Sequence, residues 1–393
     1  MSLRQQFLQH VAQTSDSPLM IEVVKGEGVY LFDPQGKAYL DLIAGISVSS
    51  LGHTHPAVVD AVQKQAAQFM HTLVYGEFVL KPQVELASLL AAQLPEQLNS
   101  VYFVNSGSEA TEGAMKLAKR YTGRAEIIAC KKAYHGSTQG AASLMWPKDF
   151  TQAFHPLLPG IKHIAFNCDF CLQKITEKTA CVIVETVQAE WGVRPPAPNY
   201  LQNLSARCKE VGALLILDEI QVGYGRTGSL FAFQQYGIVP DILLLAKAMG
   251  GGMPIGAFVA DQRIMRTLSH DPILGHITTF GGHPVTCAAG LATLQTLLST
   301  SYIQEVKKKE ALFRSLLVHP AIQEIRSAGL LMALQLDSFA SVQKVIQYCL
   351  ANGVITDWFL FNSEALRIAP PLIIEEKEIR KACEVILAGL DEL

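Results

Sequence analysis

Short apolar runs alternate along this chain with stretches of helical periodicity. Val101–Val104, Ile127–Cys130, Cys181–Val184, Leu214–Leu217, Ile242–Ala246 and Gly256–Ala260 each read as strands. Most are apolar at every position, the pattern of strands buried on both faces in a parallel sheet rather than the alternation of a half-exposed one. From Ser108 onward, Ala110, Ala114, Leu117, Ala118 and Tyr121 recur at helical spacing, and Pro56 and Pro284 each begin a helix, the second running to about Leu298. Tyr30, Phe32 and Tyr39, Asp41 flank the turn Asp33-Pro34-Gln35-Gly36 and predict a hairpin in a small antiparallel unit. After Ser299, helical patterns alternate with short strands such as Leu330–Leu336. Strand-helix alternation predicts an α/β fold, and 393 residues exceed one core of roughly 250–300. One large and one smaller domain are expected.

The strands end in chemistry. Leu214–Leu217 runs into Asp218 and Glu219, and Ile242–Ala246 runs into Lys247. In open α/β sheets ligands sit at the carboxyl ends of the strands, so an acid and an amine are delivered to that edge. Pyridoxal 5'-phosphate needs both: a lysine to carry it as a Schiff base and an aspartate to keep its pyridine nitrogen protonated. Ser106-Gly107-Ser108 falls at a strand-to-helix turn. Free amides there favour a phosphate, and Gly107 permits close backbone approach. Taken alone, a serine cap with no ligand is the favoured reading; beside Asp218 and Lys247 the phosphate cradle prevails. Tyr134, after the strand Ile127–Cys130, can stack on a planar ring.

The spaced run Asp218, Gly225-Arg226-Thr227-Gly228, Pro240-Asp241, Lys247 and Gly250-Gly251-Gly252 resembles the signature of class-III pyridoxal-phosphate aminotransferases. The resemblance spans almost the whole chain and is nearest to the acetylornithine and ornithine branch. It implies fold type I, as in aspartate aminotransferase: a large, mostly parallel sheet domain at 46–283, and a small α+β domain built from 1–45 and 284–393. It implies that Tyr134 covers the ring with His135 beside it, that Glu185 lies at the cofactor, and that Gln221 bonds the phenolic oxygen. It also implies that Thr279 reaches the phosphate of a neighbouring subunit, making a homodimer with composite sites. Glu190 is expected to pair with Arg367 and to swing aside for a substrate α-carboxylate. In similar enzymes the loop from His71 to Phe78 lines the substrate pocket, which makes Tyr75 and Phe78 candidates beside ordinary interface packing. Arg226 and Arg326 are expected to be structural.

The chain departs from that pattern at three places. Relatives carry arginine after His-Gly, where it clamps the distal carboxylate; this chain has Ser137. A hydroxyl cannot give the bidentate grip of a guanidinium, and losing such a pair removes ~1.5–3 kcal/mol, one to two decades of affinity. Trp191 stands in a loop that is glycine-rich in relatives and is expected to narrow or reshape the substrate pocket. His283 replaces the usual asparagine. The implied activity is transfer of an amino group from an amino acid or ω-amine to a 2-oxo acid. Aminomutase, racemase and decarboxylase chemistry on the same scaffold, and a cofactor-binding protein without catalysis, are the alternatives.

Composition narrows the partners. A net charge of −3, with no basic stripe and no block of like charge, gives no sign of nucleic-acid binding. Apolar residues at 49% and charged residues at 17% point to extensive burial, including a subunit interface. The eight cysteines are scattered, several in apolar runs, and fit a reducing compartment. Cys168 and Cys171 have CxxC spacing, but no second pair completes a zinc site, so a turn without redox or metal function is expected. His53 and His55 likewise lack a completing acid or thiol and are expected to be structural, leaving no metal site. The polar first residues do not read as a targeting segment, and no run approaches the ~20 apolar residues of a membrane span, so a cytoplasmic protein is expected.

Overall fold

The computed structural model describes residues 1–393. Its centre is a seven-stranded sheet in the order Ser100–Val104, Gly256–Ala260, Ile242–Ala246, Leu214–Asp218, Thr179–Glu185, Glu126–Cys130, Ile161–Ile164. Gly256–Ala260 runs antiparallel to both neighbours, and the remaining pairings are parallel. The unbroken apolar runs have a direct cause. Successive residues of each strand feed two different cores: Val182, Leu215, Leu217, Leu243 and Leu245 one, Cys181, Ile183, Ile216, Ile242 and Leu244 the other. A sheet covered on both faces leaves the middle positions of its central strands to apolar side chains.

Helix Gly107–Thr122 covers one face and comes very close to it. A Cβ added to Gly113 would lie 2.3 Å from the Phe258 ring, so only glycine lets this helix sit where it does. Helices Pro56–Gln68, Lys81–Ala92 and Pro284–Ser299 pack together against the other core, with proline at or next to the first position of each.

Two smaller sheets flank this body. Lys25–Glu27, Tyr30–Phe32 and Ala38–Asp41 form the expected hairpin unit, and Val354–Ile355 from near the other end of the chain pairs parallel with Ala38–Asp41. The second sheet is antiparallel, in the order Glu324–Ser327, Met332–Gln335, Asn362–Ile368, Asp357–Phe359. Arg226, fully buried, ties these parts together: its guanidinium donates to the carbonyls of Leu330 and Pro370 and to Ser50 Oγ. Arg326 is equally committed, donating to Gly192 O and Gln335 Oε1. His53 bonds the buried Asp41 at 2.9 Å.

One expectation is corrected. Cys168 and Cys171 are joined as a disulfide, not left as two thiols of a turn. The short helical turn Asp169–Lys174 brings their Cα atoms to 5.3 Å, well inside bridging range. The other six cysteines are free and buried.

Candidate active site

The carboxyl ends of the parallel strands converge on one cavity of about 720 Å³. Glu185 and Asp218 end adjacent strands in register with one another, and Lys247 follows the next strand. Lys247 takes a left-handed backbone, φ 50°, which costs a non-glycine residue free energy and is the kind of strain found at functional positions. On the far side, Ser106 caps helix Gly107–Thr122 through Glu109 N–H, and Gly107 and Ser108 turn the helix N-terminus toward the same space. Tyr134, His135, Ser137 and Gln221 complete the wall.

Each charged group has a defined support. Asp218 accepts from Ile220 N–H through one oxygen and meets His135 Nδ1 at 2.7 Å through the other. The other ring nitrogen of His135 and the amide nitrogen of Gln221 are buried and have no partner within the chain. Lys247 Nζ donates to Gln221 Oε1 at 3.2 Å. Burial lowers the pKa of Lys247, against the opposing pull of Glu190, Asp218 and Glu185. Burial, with the Asp218 charge adding to it, pushes Glu185 well above the usual carboxylate range; it accepts from the N–H groups of Tyr134 and Ala189. Glu219 turns away from the cavity and binds the N–H groups of Ala232 and Phe233 and the Thr186 hydroxyl.

A second cavity, about 510 Å³, adjoins the first at Tyr134, Ser137 and Lys247. Arg367 stands in it, paired with Glu190 through two parallel bonds of 2.9 Å. Sequence reading missed Asp357, whose Oδ1 lies 3.0 Å from Arg367 Nε in the same cavity. The strand register brings it there, since Asp357 and Arg367 face one another across an antiparallel strand pair.

Three predicted residues stand elsewhere within this chain. Trp191 lines neither cavity. Its ring is held between Lys132 and Arg194, 4.8 and 5.1 Å from its centre, so it does not narrow the pocket. Tyr75 lines a separate cavity of about 210 Å³. Thr279 is exposed, whereas its neighbour Thr278 is bonded to Asn105. His283 stacks on His71 at 5.4 Å, joining the segment around Thr279 to the loop that carries Tyr75 and Phe78.

The sequence profile of the family described as Aminotransferase class-III matches residues 11–390. The chain belongs to the class-III aminotransferases. It is 40% identical over 367 residues to an acetylornithine aminotransferase of Methanopyrus kandleri, covering 92% of each chain. To an acetylornithine aminotransferase of Streptomyces coelicolor it is 42% identical over 334 residues, 83% of this chain and 81% of that one. Among solved structures it resembles the ornithine aminotransferase of Toxoplasma gondii, with a TM-score of 0.91 and 31% identity over 99% of this chain and 93% of that one. A transaminase from the marine bacterium Virgibacillus gives a TM-score of 0.93 at 25% identity, covering 100% and 99%. None of these is an aminomutase, racemase or decarboxylase.

This class-III aminotransferase is a pyridoxal-phosphate-dependent transaminase, and its residues fit that cofactor. One cavity offers a buried amine, a supported carboxylate, a helix N-terminus for an anion, an aromatic ring and two unpartnered buried nitrogens. The cradle is tightly built at Gly136, whose φ is +127° and whose added Cβ would lie 2.3 Å from Ser108 Oγ. Gly136→Ala is expected to displace the Ser106–Ser108 turn and weaken pyridoxal phosphate binding by about tenfold or more, through ~1–3 kcal/mol of strain. Titration of the visible absorption band measures it; an unchanged dissociation constant would remove the turn from the phosphate site.

Proposed function

We propose that this aminotransferase moves an amino group from a donor of the ornithine and acetylornithine type to a 2-oxo acid, with Lys247 and Asp218 as its catalytic residues. The observation that carries this reading is the arrival of the Lys247 amine and the Asp218 carboxylate at one cavity from neighbouring buried strands. Pyridoxal phosphate, when bound, supplies a ring that spreads the negative charge left on a substrate carbon after its proton departs.

The chain's own residues do the rest. Asp218, which accepts from Ile220 N–H and is oriented by His135, would hold a proton at the ring nitrogen. Ser106, Gly107 and Ser108 would hold the phosphate, Tyr134, its N–H bonded to Glu185, would cover the ring, and Gln221 would serve the phenolic oxygen. Lys247 would hold the cofactor on Nζ and, once a substrate amine has replaced it there, its amine, its pKa lowered by burial, would take the proton from the substrate carbon. Arg367 is the α-carboxylate handle, closed by Glu190 until a carboxylate displaces it.

Substrate choice follows from Ser137. Among the residues of this chain lining the two cavities, Lys247 and Arg367 are the only lysine and arginine, so the chain's own lining offers no second guanidinium in place of the missing one. Partners with one carboxylate, such as pyruvate or alanine, and ω-amines are therefore favoured over 2-oxoglutarate and glutamate. The sheets support the division into a small domain from 1–45 and 284–393 and a large one from 46–283. Six of the eight cysteines are free and buried, which favours a cytoplasmic location even with Cys168 and Cys171 bridged.

A homodimer completes the assignment. Exposed Met70, Phe78, Val79, Ile273, Ile277 and Phe280 cluster on the two segments joined by His71 and His283, beside the exposed Thr279. Apolar side chains gathered this way mark an association surface.

Three outcomes test this reading. Lys247→Ala is expected to lose more than about 1,000-fold in turnover; retained transamination refutes the assignment. Ser137→Arg is expected to raise kcat/KM for 2-oxoglutarate by about one to two decades, and a clear preference of the unaltered enzyme for 2-oxoglutarate over pyruvate counts against the argument. Light scattering is expected to give twice the chain mass, and a fully active monomer overturns the dimer.

A further inference from the structure

The cavity that holds Arg367 has walls of opposite character. One carries charge: Arg367, the Glu190 bonded to it and the Asp357 salt-bridged to it. The other comes from the segment after strand Glu126–Cys130 and carries none. Where this cavity meets the cofactor cavity, the Tyr134 and Ser137 hydroxyls bond to each other at 2.9 Å. The rest of that wall is Ala142, Met145, Phe150 and Phe154. Cations of the same segment are turned elsewhere. Lys131 lies over the Trp146 ring and Lys132 over Trp191, while Lys148 is exposed and lines neither cavity.

This apolar wall is built into the fold. Ser143 Oγ accepts from Leu158 N–H at 2.9 Å, and His163 Nε2 meets the Leu144 carbonyl at 3.0 Å. Phe150 packs edge-on against Phe361, 5.2 Å between ring centres, and Phe361 N–H donates to the Glu190 carbonyl. The wall thus abuts the turn that also seats the Glu190 carboxylate through Leu360 N–H. Ala142 and Met145 are buried, whereas Phe150 and Phe154 keep 40% and 61% of their surface exposed and can be covered by a bound group. An amino acid whose carboxylate is taken by Arg367 and whose amine faces Lys247 has this wall left for its side chain. A carboxylate there would lose hydration with both cations of the cavity already engaged, whereas hydrocarbon gains about fourfold per methylene removed from water.

We propose that Met145, Phe150 and Phe154 form the side-chain subsite of this enzyme, and that they select amino acids with apolar, uncharged side chains together with the corresponding 2-oxo acids. This deepens the transaminase reading and rests on it, with Arg367 kept as the α-carboxylate handle.

Two isosteric pairs isolate the charge. 2-Amino-5-methylhexanoate is glutamate with its distal carboxylate replaced by an isopropyl group, and 5-methylhexanoate stands in the same relation to glutarate. Bleaching of the visible band of the pyridoxal-phosphate-loaded enzyme, followed as a second-order rate constant, is expected to be about tenfold or more faster with 2-amino-5-methylhexanoate than with glutamate. It is expected to rise about fourfold per methylene from alanine through 2-aminobutanoate to 2-aminopentanoate. Calorimetric titration is expected to rank 5-methylhexanoate above glutarate, neither of which can react. Phe154→Ala, at the more exposed ring, is expected to cut the ratio of 2-amino-5-methylhexanoate to alanine about tenfold, and Phe154→Leu to recover most of it. An unchanged ratio, or glutamate and glutarate preferred over their isosteres, overturns the subsite; a fault in folding cannot mimic the expected result, because it lowers both amino acids together. If alanine bleaches the band and longer apolar amino acids are no faster, the subsite alone falls. If no amine of any kind bleaches it, the transaminase reading falls, and the calorimetric ranking still decides the subsite.

Discussion

A carboxylate at the end of a strand whose every residue is buried has to be compensated on the spot, and the arrangement around Asp218 follows from that requirement. The backbone N–H of Ile220 and the imidazole of His135 supply the compensation. His135 is itself placed by Thr111, whose hydroxyl donates to its carbonyl from helix Gly107–Thr122. The helix that presents its N-terminus to the cavity therefore also positions the acid at the cavity's other side. Its tight seat on Phe258, permitted by Gly113, is part of the same geometry. Moving any one of these parts moves the rest.

The substrate side is organised on a different principle. Asp218 is held by a backbone N–H and an imidazole, whereas Arg367 is flanked by two acids, one well bonded and one poorly aligned. The first arrangement fixes the position of a carboxylate. The second leaves a charge balance that a bound molecule can change, which is what a pocket that must accept two chemically different partners in turn requires.

Much of this was legible in the sequence where chemistry coincides with periodicity. Asp218, Lys247 and the Ser106–Ser108 turn end runs whose apolar pattern marks them as buried strands, so their meeting follows from sheet topology. Glu190 and Arg367 were expected together from resemblance, and they are bonded. What stayed hidden depends on side-chain direction or on register. Trp191 occupies a pocket-side loop but points to Lys132 and Arg194, a choice no pattern encodes. The Cys168–Cys171 bridge depends on the tightness of one helical turn. Asp357 became visible only once a strand pairing placed it opposite Arg367.

The parallel pairing of Val354–Ile355 with Ala38–Asp41 has a consequence for how the chain is made. The hairpin Tyr30–Phe32, Ala38–Asp41 is among the first segments to leave the ribosome, yet the strand that closes its edge is among the last. Throughout most of synthesis that edge presents open backbone groups, the feature of nascent chains most prone to pairing with a neighbour. The central sheet, whose strands all lie between residues 100 and 260, can be assembled meanwhile. Order of translation thus separates the body, whose strands are all made by residue 260, from a flank that is complete only when the C-terminal region has been made.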